Sequence, residues 1–149
     1  MSEGLRTVAI AFVALAGGFT WYAVRTALIP LASPDRLIAE LRLSQFAALL
    51  LTMTAGVYIG FAVSFENQPG VGFDVAFAIG FLLIAATTLI RDPRQALTIL
   101  ALAFAAHAVI DVAHRPGMLA DIAPRWYLIG CATYDVYIGA LCYLPILRR

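Results

Sequence analysis

Lysine is missing from this chain: all ten of its strongly basic residues are arginine. A lysine Schiff base is therefore excluded, and with it retinal attachment and pyridoxal phosphate catalysis. No Gly-rich phosphate loop occurs, so the usual signature of nucleotide use is absent. Charge of either sign is scarce. Asp, Glu, Lys and Arg make up 13% of the residues, about half the share of a soluble domain. A net charge of +1 leaves neither a basic field for nucleic acid nor an acidic tail. The two cysteines, Cys131 and Cys142, would lie about 16 Å apart along one helix, too far to bridge. The two histidines, His107 and His114, fall on one face of one helix and cannot ligate opposite sides of a single haem. There is no internal repeat and no low-complexity linker.

What the chain has is apolar length. Of its 149 residues 62% are hydrophobic, and the mean hydropathy is +0.89. So much apolar surface cannot all be core; it must face lipid or helices embedded in lipid. Five segments are long enough to span about 30 Å of hydrocarbon, at about residues 5–27, 41–65, 71–90, 93–114 and 124–147. The expected fold is all-α, a single polytopic transmembrane domain of five helices covering residues 1–149.

The breaks carry turn chemistry. Ser33-Pro34-Asp35 reads as an N-cap followed by Pro at the first helical position, and Asp92-Pro93 repeats the signal. Between 34 and 42, Leu37, Ile38 and Leu41 share a face that Arg36 and Glu40 avoid, which predicts a short interfacial helix ahead of the second span. Asn67-Gln68-Pro69-Gly70 is a turn. Gly17-Gly18 and Gly56 with Gly60 read as small-residue helix contacts.

Five spans put Arg25, Arg36, Arg42, Arg91, Arg94, Arg148 and Arg149 on one side, and Arg6, Arg115 and Arg125 on the other. The positive-inside rule then predicts an outer N-terminus and a cytoplasmic C-terminus. Trp126 and Tyr127 would form an outer aromatic belt, with Tyr143 towards the inner interface. A cleaved signal peptide at the first segment is the rival reading. It would place Arg36 and Arg42 outside, against the charge pattern.

One polar stripe lies within these apolar segments. At 100° per residue, Asp111 falls about 40° from His107 and His114 about 20° to its other side. On the fifth span Cys131, Asp135 and Cys142 fall within about 40° of one another, flanked by Tyr134 and Tyr127. An antiparallel hairpin sets Cys131 near the level of His107 and Asp111, with Asp135 deeper. Glu66 and Asp74 border the preceding loop on the same side. An ionisable group inside the membrane is costly and points to function by default. His107 with Asp111 (i, i+4), or Asp111 with His114 (i, i+3), can chelate one ion; the two histidines, about 10 Å apart along the axis, cannot do so together. A mononuclear site would take one His–Asp pair plus Asp135 or Cys131, with the other histidine outside it. Zinc or another divalent metal suits such N, O and S ligands. Metal-free acid–base work through His107, Asp111, His114 and Asp135, a proton relay, and helix packing through interhelical hydrogen bonds remain open beside it.

The run His107-x-x-x-Asp111-x-x-His114, a short Pro-containing loop, then Gly130-Cys131-Ala132-x-x-Asp135 resembles an uncharacterised family of small bacterial membrane proteins. That family carries a His-x-x-Trp-Asp-x-x-His-His run and a Gly-Cys-Ala-x-x-Asp segment, and the likeness spans about the last fifty residues. Here Ile110 stands for the Trp and Arg115 for the second adjacent His, which weakens a two-metal site. The resemblance implies only that His107, Asp111, His114, Cys131 and Asp135 belong together; the expected location is a bacterial inner membrane. A looser likeness is to small membrane sterol isomerases, which also place His and acidic residues in a short bundle. Three functions follow as expectations. The first is a membrane-embedded enzyme acting on a lipid or isoprenoid-like substrate. The second is a small proton-coupled transporter, working as a homo-oligomer. The third is an accessory subunit of a larger membrane complex.

Overall fold

The computed structural model describes residues 3–64, 69–115, 118–119 and 123–147. Its elements are five helices: α1 (Glu3–Leu28), α2 (Pro34–Ser64), α3 (Val71–Thr88), α4 (Pro93–Ala113) and α5 (Arg125–Leu147). No strand occurs among the described residues. All five helices are long and apolar enough to cross a membrane, so the chain is a multi-pass helical bundle.

Helix starts follow from local chemistry. Ser33 Oγ accepts from the Asp35 N–H at 3.3 Å at the head of α2. Asp92 accepts from the N–H groups of Arg94 and Gln95 at 3.0 and 3.3 Å, with Pro93 at the first helical position, where its missing N–H is no loss. Before α3, Gly70 has φ 93°, a conformation that favours glycine.

Helix α2 is the hub and touches all the others; α4 packs along α5, and α1 lies at the periphery against α5 and α2. The middle of the bundle is a layer of Leu43, Leu50, Leu51, Leu97, Leu100, Phe104 and Ile138, each fully or almost fully buried. Exposed residues such as Ile10, Val63, Leu83, Leu102 and Val136 form the apolar outer surface expected against lipid.

The structure corrects two readings of the first half of the chain. The 34–42 stretch is not a separate interfacial helix but the first turns of α2. Its polarity is also inverted. Arg36 and Glu40 are buried, while Leu37 and Ile38 are 58% and 50% exposed. The charged pair points inwards because partners wait there. Arg36 donates to the carbonyls of Thr26 and Ile29 at the end of α1 and of Pro145 at the end of α5, at 2.5, 2.9 and 2.7 Å. The last carbonyls of a helix lack partners within it; of these three, only that of Thr26 also accepts from a backbone group among the described residues, the Ile29 N–H at 3.2 Å. Glu40 accepts from Arg36 at 2.6 Å and from Arg94 at 3.0 and 3.2 Å. The second correction concerns glycine. A Cβ added at Gly17, Gly18, Gly56 or Gly60 would meet nothing within 4 Å, whereas one at Gly139 would lie 3.2 Å from the Ala101 carbonyl oxygen. The close helix contact is α5 on α4.

Candidate metal centre

That close contact sits just below the polar stripe. Since Gly139 lets α5 approach α4, the i, i+4 pair His107/Asp111 on one helix faces the i, i+4 pair Cys131/Asp135 on the other. One ligand atom from each of the four lies within 4.8 Å of the others, and all four residues are buried. His107 Nδ1 is 2.7 Å from Asp135 Oδ2 and 3.5 Å from Asp111 Oδ2. The Cys131 thiol is 3.8 Å from Asp135 Oδ2 and directed at it. Asp135 is therefore level with His107, one turn deeper along α5 than Cys131, as two i, i+4 pairs facing each other on antiparallel helices require.

Two further helices complete the surroundings. Tyr58 of α2 donates a hydrogen bond to Asp111 Oδ1, and its ring meets the His107 ring edge-on at 5.0 Å. Phe81 of α3 covers the other side of His107 at 4.9 Å between ring centres. The site is thus walled by apolar and aromatic groups, yet two of its carboxylate oxygens, Asp111 Oδ2 and Asp135 Oδ1, have no hydrogen-bond partner among the described residues.

His114 does not join this group. Its Nε2 is 2.7 Å from Asp74 Oδ1, and its Nδ1 is 2.8 Å from the Ile110 carbonyl. A carbonyl can only accept, so Nδ1 carries a hydrogen, and one proton lies between Nε2 and Asp74. The second histidine is committed to tying α4 to α3 beside the cluster, with Tyr58 lying between the two histidine rings. Asp74, read from sequence as a loop-bordering residue, is buried. Glu66 lies outside the described residues. The Tyr134 hydroxyl is buried without a partner among the described residues, its ring packed edge-on against Phe12 at 5.0 Å. Tyr127 is 7% exposed and Trp126 46% exposed; Tyr127 turns inwards instead of joining an aromatic belt. Tyr58 was missed. It lies in a run of small and apolar residues that no histidine or carboxylate marks, and only its partner on α4, 53 residues on, reveals its role.

Chemically, one imidazole, two carboxylates and one thiol converging from two helices make a donor set suited to zinc. Tetrahedral zinc with bonds of 2.0–2.3 Å needs ligand atoms roughly 3.3–3.8 Å apart; here they lie within 4.8 Å of one another, so the widest pairs would close by about 1–1.5 Å and the 2.7 Å His107–Asp135 pair would open. A cation at the centre would give the two orphaned oxygens the partner they lack. No known protein family, curated protein or solved structure matches the chain, so the site is read on its own geometry.

Proposed function

We propose that this is a membrane-embedded, metal-dependent enzyme acting on a lipid-soluble substrate, with His107, Asp111, Asp135 and Cys131 as the ligand set and zinc as the ion that suits it. The observation that supports this reading is the pair of orphaned carboxylate oxygens inside a buried four-ligand cluster. A buried unsatisfied polar atom costs about 1–3 kcal/mol, more when charged, and a cluster that served packing alone would have no reason to retain two. Three of these four ligands, the His107/Asp111 pair with Asp135 or Cys131, would suffice to hold zinc and leave its fourth position open, where the ion would supply Lewis acidity towards an oxygen of the substrate. Tyr58 holds Asp111 in place through its hydrogen bond, as groups behind metal ligands commonly do. Phe81 and Tyr58 keep the imidazole dry. Cys131 is the ligand nearest the helix surface, because it also lines a cleft towards α1; that is the side from which a substrate would enter. The arginine distribution supports an orientation with the C-terminus cytoplasmic.

A proton-coupled carrier is the weaker reading. The row Asp74, His114, Tyr58, Asp111, His107, Asp135 could pass protons part of the way. It then meets buried Leu43, Leu50, Leu97, Leu100, Phe104 and Ile138, and no carboxylate or histidine among the described residues continues the row from there to Glu40. A site reached from one end fits catalysis better than passage.

Metal analysis of protein purified in mild detergent tests the centre. About one equivalent of zinc is expected in the wild type, falling at least tenfold in His107→Ala and Asp135→Asn. A metal-free wild type that also fails to take up added zinc overturns the reading. For catalysis, proteoliposomes made with total bacterial lipid are compared by mass spectrometry for wild type and Asp111→Asn. A lipid species consumed only by the wild type is expected; identical profiles would leave a metal-binding bundle without enzymatic activity.

A further inference from the structure

Three tyrosines stand around the ligand cluster, and only one of them is bonded to it. Tyr58 on α2 donates to Asp111. Tyr127 and Tyr134 stand on α5 at i−4 and i+3 from Cys131, which puts both on the side of Cys131 away from Asp135. Both phenol oxygens are closed to the surface, and neither has a hydrogen-bond partner among the described residues. Tyr127 as a whole is 7% exposed. Each hydroxyl faces the cluster. The ionisable neighbours of Tyr127 there are Cys131, Asp111 and Asp135, and those of Tyr134 are Asp135 and Cys131. Phe61 packs on the Tyr127 ring and Phe12 on the Tyr134 ring, each at 5.0 Å, and neither offers an acceptor.

A buried tyrosine hydroxyl normally finds a partner. The orphaned oxygens of Asp111 and Asp135 are acceptors, and a cation satisfies acceptors. It does nothing for an O–H group, whose hydrogen needs a lone pair. The Cys131 sulfur is a weak acceptor, and the carboxylates are the groups an ion would engage. The cluster with a cation alone is therefore still short of acceptor lone pairs on the side of the two tyrosines. One oxygen can meet the ion and both hydroxyls only if it is rich in electrons. An alcohol oxygen has two lone pairs, and with one on the ion it keeps a single one. A carboxylate oxygen, or a carbonyl oxygen gaining negative charge as it reacts, can receive all three. Donors fixed around such a position in a dry site stabilise the charge without having to reorient.

We infer that Tyr127 and Tyr134 are the hydrogen-bond donors for a charged or charge-gaining oxygen at the open position beside Cys131, and that the substrate is a lipid-soluble carbonyl or carboxyl compound. This inference deepens the metal-dependent reading above and rests on it. The three tyrosines then divide their roles: Tyr58 orients a ligand, while Tyr127 and Tyr134 receive what enters. An alkene or a simple alcohol would leave at least one of the two hydroxyls without an acceptor.

The experiment uses the full chain in phospholipid nanodiscs, loaded with cobalt(II), whose visible absorption reports the groups bound to the ion. It is titrated with formate as a small carboxylate and with ethanol as the neutral control. Cobalt should load equally in wild type, Tyr127→Phe, Tyr134→Phe and the double variant, since each keeps the ring and removes an oxygen that is not a ligand. Formate should change the wild-type spectrum saturably, and ethanol should not. The formate dissociation constant should rise about tenfold or more in the double variant and about threefold in each single variant, as expected for lost hydrogen bonds to a charged group. Tyr137→Phe, which removes a hydroxyl bonded to Thr20 on α1 instead, should leave it unchanged. If the double variant does not fold, the two single variants carry the test. Formate binding of equal strength with and without the hydroxyls overturns the role of the tyrosines, and ethanol binding as tight as formate overturns the substrate class. A cobalt spectrum that formate cannot change shows a closed four-ligand site; it overturns the inference and leaves the metal standing. A folded tyrosine variant that loses cobalt makes the hydroxyls supports of the ligands and overturns the inference as well. A wild type that takes up neither cobalt nor zinc overturns the metal reading itself.

Discussion

The bundle buries charge at two places, and it treats them oppositely. At the end formed by the C-termini of α1 and α5, Arg36, Glu40 and Arg94 make a network in which every Glu40 oxygen is engaged and the Arg36 guanidinium is shared among Glu40 and three backbone carbonyls. Towards the other end, His107, Asp111, Cys131 and Asp135 crowd together with two carboxylate oxygens unpartnered. Complete polar networks hold a fold together, while half-satisfied ones are worse than an apolar core of the same shape. The arginine network is therefore architecture: it closes helix ends and fixes how α1, α2, α4 and α5 meet. The histidine cluster makes sense as a site whose last partner comes from outside the chain.

The sharpest way to break this comparison is to remove Glu40. Glu40→Ala leaves Arg36 buried with no countercharge, a change that costs about 3–5 kcal/mol for a buried pair. A strong drop in thermal or denaturant resistance in detergent is expected, with zinc content per folded protein unchanged. Asp135→Asn should do the reverse, losing zinc while the metal-free protein keeps its stability to within about 1 kcal/mol, since it relieves an unpartnered carboxylate. If both variants unfold the protein alike, the two regions do not differ as argued.

Added zinc gives the next effect in size. A ligand that binds only the folded state stabilises it by about 2.7 kcal/mol at a hundred times its dissociation constant. The wild type should therefore resist unfolding more strongly with zinc than after chelation, and Asp135→Asn should show no such difference. Equal responses would mean that zinc acts elsewhere on the chain.

How much of this contrast was legible in the sequence depends on the kind of signal. Apolar length and cap-plus-Pro punctuation gave five helices, with ends close to those observed except that α2 begins at Pro34 and takes in the stretch expected to be a separate helix. His107, Asp111, Cys131 and Asp135 were legible as two stripes, since helical periodicity puts i and i+4 on one face. Their convergence depended on α4 and α5 being antiparallel neighbours, which the short loop between them implied. The arginine network was not legible. In a soluble protein Leu37, Ile38 and Leu41 would mark the inward face, but in a bundle surrounded by lipid the apolar face looks outwards and the charged one can be the interior. Tyr58 was hidden for a different reason: an aromatic residue in a span is usually packing, and only its contact with Asp111, from a helix distant in sequence, distinguishes it. His114 misled because periodicity alone cannot see Asp74 arriving from α3.

Tyr58→Phe tests that hidden contact. It removes one oxygen and keeps the ring against His107. Asp111 Oδ1 then joins the unpartnered atoms, and loss of a hydrogen bond that orients a metal ligand lowers metal affinity about 10–100-fold. Titration with zinc against a competing chelator should show a drop of that size with the folded bundle retained. An unchanged affinity would reduce Tyr58 to a packing residue and remove Asp111 from the ligand set.

The smallest expected effect falls on the satisfied side and refines where its strength lies. Arg94 also binds Glu40, but its side chain is 46% exposed, against 4% for Arg36. Water already solvates it, and an exposed ion pair contributes about 0–1 kcal/mol. Arg94→Ala leaves Glu40 paired with Arg36, so stability should fall by no more than about 1 kcal/mol. Arg36→Ala, by contrast, should cost clearly more, because it leaves Glu40 to the half-exposed Arg94 alone and takes the side-chain donor from three helix-end carbonyls at once. Unfolding measured side by side on the two arginine variants separates these outcomes. If Arg94→Ala proved as damaging as Arg36→Ala, the network would owe its strength to net charge and not to burial, and the distinction between a satisfied end and an unsatisfied one would need a different physical basis.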